Sequence, residues 1–213
     1  MLRQLSRHLR YGGFPYRRYM RRHDCVFIHV PKAAGTSVLR ALGGDRKQIR
    51  DHMCWRAFRN ADPVRWERSY KFAFVRNPWD RVASVYKYLR RGGNGNERLQ
   101  TVRRIETDGV SFGQFVTEVL QPDRISLHPL FLPQSHFICD MDGTVRVDFV
   151  GRLERIDDDF ATIAKRLALK TQQLEMVNQS QKAGGYRELY DDALIDRVAQ
   201  LYAADIAIFG YEF

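Results

Sequence analysis

The sequence predicts an α/β fold around a central parallel sheet, and three observations lead there. Cys25-Val26-Phe27-Ile28-His29-Val30 and Lys71-Phe72-Ala73-Phe74-Val75 are nearly unbroken apolar runs, the pattern of strands buried on both faces. Each runs directly into a helix-forming segment, and strand-then-helix units in series favour parallel pairing. The chain has 213 residues and is 44% hydrophobic, which suits one domain with a proper core.

The first helix spans about Thr36 to Leu42 and is closed by Gly43-Gly44. The second carries stronger start signals. Asn77 is a good N-cap, Pro78 is favoured at the first helical position, and Asp80 suits the first turn. Val82, Val85, Tyr86 and Leu89 then share one apolar face, and Gly92-Gly93 ends the helix. Residues 90–135 are the least regular part, with Arg90, Arg91, Arg98, Arg103 and Arg104 in the first half. Phe137 to Cys139 and Thr144 to Val150 read as strands joined by a turn at Asp140-Met141-Asp142-Gly143. Helices are predicted over 156–168 and over about 191–209.

The net charge is +10 and is unevenly spread. Residues 1–24 hold seven arginines and one acid, so that segment carries +6. It reads as a basic extension ahead of a folded domain at 25–213, broken by Gly12-Gly13 and Pro15. A basic excess favours an anionic partner, and the extension offers a peripheral contact to a membrane surface. Basic residues without a stacked aromatic array argue against nucleic acid. Cys25, Cys54 and Cys139 have no zinc-like or disulfide-framework spacing. A reducing, cytoplasmic location is the simpler expectation. No run approaches the roughly 20 apolar residues of a membrane span, and arginines interrupt any secretory signal.

The segment richest in chemistry is His29-Val30-Pro31-Lys32-Ala33-Ala34-Gly35-Thr36-Ser37. A loop between a buried strand and a helix aims backbone N–H groups at whatever lies above the sheet edge, and small residues let an anion come close. Lys32 adds a mobile charge; Thr36 and Ser37 add hydroxyls. The bland alternative is an ordinary strand–helix turn with a surface lysine. The nucleoside-triphosphatase order GxxxxGK[ST] is absent, because here the lysine precedes Gly35-Thr36-Ser37.

Pro31 to Ser37 resembles the 5'-phosphosulfate loop of sulfotransferases that use 3'-phosphoadenosine 5'-phosphosulfate. FAFVRNPWDRVASVYKYL at 72–89 resembles their 3'-phosphate motif, in which an arginine follows a strand and a serine lies on the next helix. Those residues are Arg76 and Ser84; Ser84 lies off the apolar face and so stands available to a ligand. The stretches at 134–160 and 186–213 look like later blocks of the carbohydrate-acting branch, which includes Golgi 2-O- and chondroitin-type enzymes and bacterial relatives. The resemblance implies a three-layer α/β/α, P-loop-like nucleotide-binding fold, no metal, and sulfuryl transfer to a hydroxyl of an acceptor, a carbohydrate in this branch. The arginines at 90–104 hint at an anionic one.

In that scheme Lys32 neutralises charge growing on the leaving phosphate oxygen. The branch places a catalytic histidine in the stretch that here contains His52, and imidazole is suited to such a proton transfer. His29 is the alternative but falls within the predicted strand; His128 and His136 are weaker candidates. A later loop, 178–185, supplies Ser180 and Lys182 as cofactor contacts. Two other readings stay open: a small-molecule kinase of similar fold, and a non-enzymatic binder of anionic polymers.

Overall fold

The computed structural model describes residues 14–44, 52–93, 109–171, 173–174 and 185–213. Along the chain run α1 (Arg18–Arg22), β1 (Cys25–Ile28), α2 (Gly35–Ala41), α3 (Trp55–Ala61), α4 (Pro63–Arg68) and β2 (Tyr70–Val75). After these come α5 (Pro78–Arg90), α6 (Phe112–Gln114), α7 (Pro122–Ile125), α8 (Ser135–Ile138), β3 (Phe149–Arg152), α9 (Ile156–Arg166), α10 (Asp192–Leu201) and α11 (Ala203–Phe209). The chain divides into two compact units. The first takes residues 1–75 and 135–177, the second 76–134 and 178–213.

The first unit holds a parallel sheet in the order β1-β2-β3. Phe27 of β1 lies opposite Phe72 of β2, and their rings stack with centroids 5.2 Å apart. Every residue of β1, and β2 from Lys71 on, is buried, as the unbroken apolar runs require. Phe74 lies opposite Gly151 of β3, and its ring occupies the space where a side chain at 151 would stand. The α/β class and the parallel pairing therefore agree with the sequence. Residues near the N terminus also join this packing. Tyr16, Tyr19 and Met20 are buried, and the Tyr16 hydroxyl donates to the Phe58 carbonyl at 3.0 Å.

Three predicted elements differ from expectation. Phe137 to Cys139 is not a strand. Ser135–Ile138 forms a short helix closed by a bond from Cys139 N–H to the Ser135 carbonyl, and only a single antiparallel bridge joins Cys139 to Val145. The turn at 140–143 is present, held by the Thr144 N–H on the side chains of Asp140 and Asp142. The second strand starts late: ladder pairing with β2 begins at Phe149, and just before it Asp148 holds the Lys71 backbone, its carboxylate accepting from the Lys71 N–H at 2.7 Å and its own N–H donating to the Lys71 carbonyl at 2.8 Å. The last helix is broken in two at Tyr202, whose backbone leaves the helical region (φ −118°, ψ 27°). The Tyr202 ring is buried, and its hydroxyl donates to the Phe131 carbonyl at 2.8 Å.

In the second unit α5 starts as predicted. The Asn77 side chain accepts from the N–H groups of Trp79 and Asp80, and Pro78 sits at the first position. Gly92 and Gly93 follow its end with positive φ. The burial of α5 is wider than one apolar stripe, taking in Trp79, Arg81, Ala83 and Ser84 as well as the predicted face.

Gly151→Ala tests the sheet. Its new Cβ would stand 2.5 Å from a ring carbon of Phe74, so the core must shift. The expected cost is about 1–3 kcal/mol, read as a drop in Tm of about 2–4 °C per kcal/mol. An unchanged Tm would show that the Phe74 ring has room to move.

Candidate active site

In the first unit the loop after β1 is tightly specified. Lys32 and Ala34 both adopt positive φ, 66° and 58°, which L-residues rarely do. Such a turn persists only where its surroundings over-determine it, and it clusters at ligand sites. The Ala34 carbonyl accepts from the N–H groups of Ser37 and Val38, which starts α2 one residue earlier than the sequence suggests. Pro31, Ala33, Gly35 and Ser37 are buried, while Lys32, Ala34 and Thr36 are half-buried. Lys32 and Thr36 thus keep side-chain access to solvent from a rigid backbone.

Gly35 is where α2 meets His29. A Cβ at residue 35 would stand 1.8 Å from Nε2 and 1.9 Å from Cδ2 of the His29 ring. Only glycine fits. β1 ends at Ile28, so His29 is the first residue beyond the strand rather than part of it. Its ring is buried and stacks on Phe27 with centroids 5.9 Å apart.

His52, the base expected from the sequence, lies beside it. The two imidazole centroids are 4.6 Å apart, and His52 Nδ1 lies 3.2 Å from the His29 carbonyl oxygen. The two histidines that competed for one role in the sequence are in contact. His52 is half-buried and stands three residues before Trp55, which opens α3 and donates from Nε1 to the Cys139 carbonyl at 2.8 Å. The guanidinium of Arg56 lies 4.8 Å above the Trp55 ring. His136 also belongs to this unit; burial and then the charge of Arg56 push its pKa below the usual histidine value.

In the second unit Arg76 follows β2 directly and is buried. Asp80, one turn into α5, takes its guanidinium in a two-pronged pair, Nε to Oδ2 at 2.8 Å and Nη2 to Oδ1 at 2.7 Å. This fixes the direction of the fork. The backbone of Arg76 is held equally firmly: its N–H donates to Oε1 of Gln134 at 2.9 Å, and its carbonyl accepts from Nε2 of Gln134 at 2.7 Å. The Gln134 N–H in turn donates to the fully buried Asp205 carboxylate at 2.7 Å. Ser84 is only 6% exposed, so it does not sit on an open face as its place in the apolar pattern suggested. His128, a weaker candidate, accepts from the Leu130 N–H through Nδ1 and packs against Phe131. Ser180 and Lys182 lie outside the described residues.

Sequence reasoning missed Gln134, Asp205 and Arg81. Arg81 is 1% exposed and donates to the carbonyls of Leu130 and Leu132 at 3.1 and 2.8 Å. Burial pulls its pKa below the usual arginine value, against the opposing pull of Tyr202 and Asp205. Helical spacing does not distinguish such an arginine from a solvent-facing one. Gln134 had one signal, its place at the head of the stretch that resembles a family block. Among the described residues no group of three side chains is arranged to hold a metal ion.

The Sulfotransferase family profile matches residues 18–212. Carbohydrate sulfotransferase 12 of Xenopus laevis is 25% identical, aligned over 89% of this chain and 58% of its own. Its mouse counterpart is 24% identical with the same coverage. Carbohydrate sulfotransferase 14 of Danio rerio is 23% identical over 89% of this chain and 60% of its own. The chain thus spans about three fifths of the length of these curated relatives. No solved structure matches. The relatives overturn the cytoplasmic location expected from the cysteines, because they are carbohydrate sulfotransferases, the group whose Golgi members the sequence already resembles. Three cysteines without a disulfide report on the spacing of sulfurs and not on a compartment. No described helix is long and apolar enough to cross a membrane, which does not restore that expectation. The profile takes in β1, the strained loop and His52 of the first unit and Arg76 of the second, and the chain belongs to the Sulfotransferase family.

Proposed function

We propose that this protein transfers a sulfuryl group from 3'-phosphoadenosine 5'-phosphosulfate to a hydroxyl of a carbohydrate acceptor, on a three-layer P-loop-like nucleotide-binding fold. The observation that carries the reading is the left-handed loop at Lys32 and Ala34, seated on His29 with His52 at its side. The loop carries a lysine and a close-approach glycine, and the histidine packed on that glycine touches His52, which supports a lysine, backbone donors and a base acting in one transfer.

The roles follow from the chemistry. Residues 31–37 take the 5'-phosphosulfate, with Lys32 placed for the charge that develops on the oxygen bridging phosphorus and sulfur. Arg76 and Ser84 take the 3'-phosphate. Ser180 and Lys182 are further contacts to the nucleotide. A sugar hydroxyl is almost wholly un-ionised at neutral pH, so its attack on sulfur needs a base. His52 takes the hydroxyl proton as the new S–O bond forms, and the old bridging bond breaks with its electrons passing to the leaving phosphate. The products are the sulfate ester and adenosine 3',5'-bisphosphate. Sulfuryl transfer moves less charge than phosphoryl transfer, so lysine and backbone donors suffice here without a metal clamp.

Adenosine 3',5'-bisphosphate is expected to raise the Tm, as any ligand of the native state does by mass action. Arg76→Ala is expected to weaken its binding by roughly 10–100-fold, the loss of a hydrogen-bonded charge of about 1.5–3 kcal/mol. No thermal shift at millimolar ligand, or a shift only with adenosine triphosphate and magnesium, would reject the reading in favour of none or of a kinase.

Lys32→Ala is expected to lower kcat by about 10²–10³-fold with a smaller change in bisphosphate affinity, measured by radiolabelled transfer to a glycan panel and by calorimetry. A loss confined to affinity would make Lys32 a phosphate clamp only.

His52→Ala is expected to keep bisphosphate binding and Tm while turnover falls by about 10²–10⁴-fold. Substantial activity in the variant would move the base elsewhere.

A further inference from the structure

The candidate base has a neighbour that does more than fill space. The His52 ring nitrogen Nδ1 faces the His29 carbonyl oxygen at 3.2 Å. A carbonyl can only accept, so this contact is a hydrogen bond only when Nδ1 carries the proton. Neutral His52 in that state holds its lone pair on Nε2, and which ring nitrogen is protonated is set by the bond the other one makes. The same residue that presents this carbonyl also presents its ring. The His29 imidazole stacks on Phe27, lies 4.6 Å from the His52 ring, and rests on Gly35 so closely that no Cβ fits between. Phe27 is itself stacked on Phe72 of the neighbouring strand. The His29 ring is thus clamped from the sheet side and from the first residue of α2, with His52 against it.

We infer that His29 is a positioning residue. Its carbonyl holds His52 in the Nδ1–H tautomer, and its ring, wedged on Gly35, sets where that base stands relative to the phosphosulfate loop. This rests on the reading of His52 as the base. It assigns His29 a role distinct from accepting the substrate proton. It also gives Gly35 a second reason to be glycine: a methyl group there would push the imidazole away and move His52 with it.

The tautomer is directly observable. In the full chain with ¹⁵N-labelled histidine, long-range proton–nitrogen correlation separates a protonated ring nitrogen from a bare one, and the His52 signals are those lost in His52→Gln. The expected spectrum of the parent has Nδ1 protonated and Nε2 bare. In His29→Ala the ring support is gone, and His52 is expected to shift to a mixture containing the Nε2–H form. Gly35→Ala displaces the same ring from the other side and is expected to move the His52 signals likewise. In the double variant the added methyl has room, so the effect of Gly35→Ala is expected to be smaller than in the parent. If His29→Ala does not fold, His29→Asn, a smaller planar group, and Gly35→Ala carry the test.

An Nε2–H tautomer in the parent overturns the inference, as does a His52 spectrum indifferent to both His29 and Gly35 substitutions. Failure of the underlying reading looks different. Full glycan turnover by His52→Ala removes the base and this role together, whereas an inactive His52→Ala with a His52 spectrum unmoved by His29→Ala leaves the base in place and removes only the positioning.

Discussion

The first unit depends on one constraint, the burial of a parallel ladder whose central strand is paired on both sides. β2 bonds to β1 along one edge and to β3 along the other, so its backbone is satisfied only if both neighbours are in register. Its side chains then have no solvent face. Phe72 stacks with Phe27, and Phe74 spreads over Gly151, so the ladder and the aromatic packing specify each other. A slip of one residue would turn these rings to the opposite face and put a side chain against Phe74.

That rigidity is passed on at the end of β1. The strand stops at Ile28, and the next residue lays its imidazole back on Phe27. The chain must then reach α2 without striking that ring. It does so through two left-handed residues that are not glycine, Lys32 and Ala34, and through a glycine at the point of contact. The unfavourable backbone at 32 and 34 is held by packing on both sides, which keeps a loop rich in backbone donors from collapsing on itself.

The second unit solves a different problem, the placing of buried charge. Arg76 pairs with Asp80, and Gln134 takes up both backbone groups of Arg76 while its own N–H reaches Asp205. Arg81 satisfies the carbonyls of Leu130 and Leu132 and lies 5.9 Å from the Tyr202 ring centroid. Burial raises the Tyr202 hydroxyl to about 12 while that hydroxyl donates to Phe131. These contacts tie the irregular segment at 130–134 to helices α5 and α11. Removing one partner would leave a buried polar group unsatisfied, which is costlier than the bond itself is favourable.

By itself the sequence determined the α/β class, both long strands, the start and stop of α5, and the loop that carries Pro31 and Lys32 into α2. These are legible because they rest on local chemistry: unbroken apolar runs, an Asn-Pro helix start, glycines at helix ends. It also placed the chain in a family, through motifs whose residue types and order suffice. Tertiary structure decided what depends on distant partners. Ser135 to Ile138 became a helix and not a strand because a single bridge offered too little pairing to compete with local hydrogen bonds. The last helix broke at Tyr202 because its ring is committed to the core. Gln134, Arg81 and Asp205 read as ordinary polar residues until their partners, up to 71 positions away, are in place. Likewise His29 and His52, 23 residues apart, become one arrangement only when the fold brings a backbone carbonyl to one ring and a glycine to the other, since periodicity carries no information about which groups from separate segments will touch.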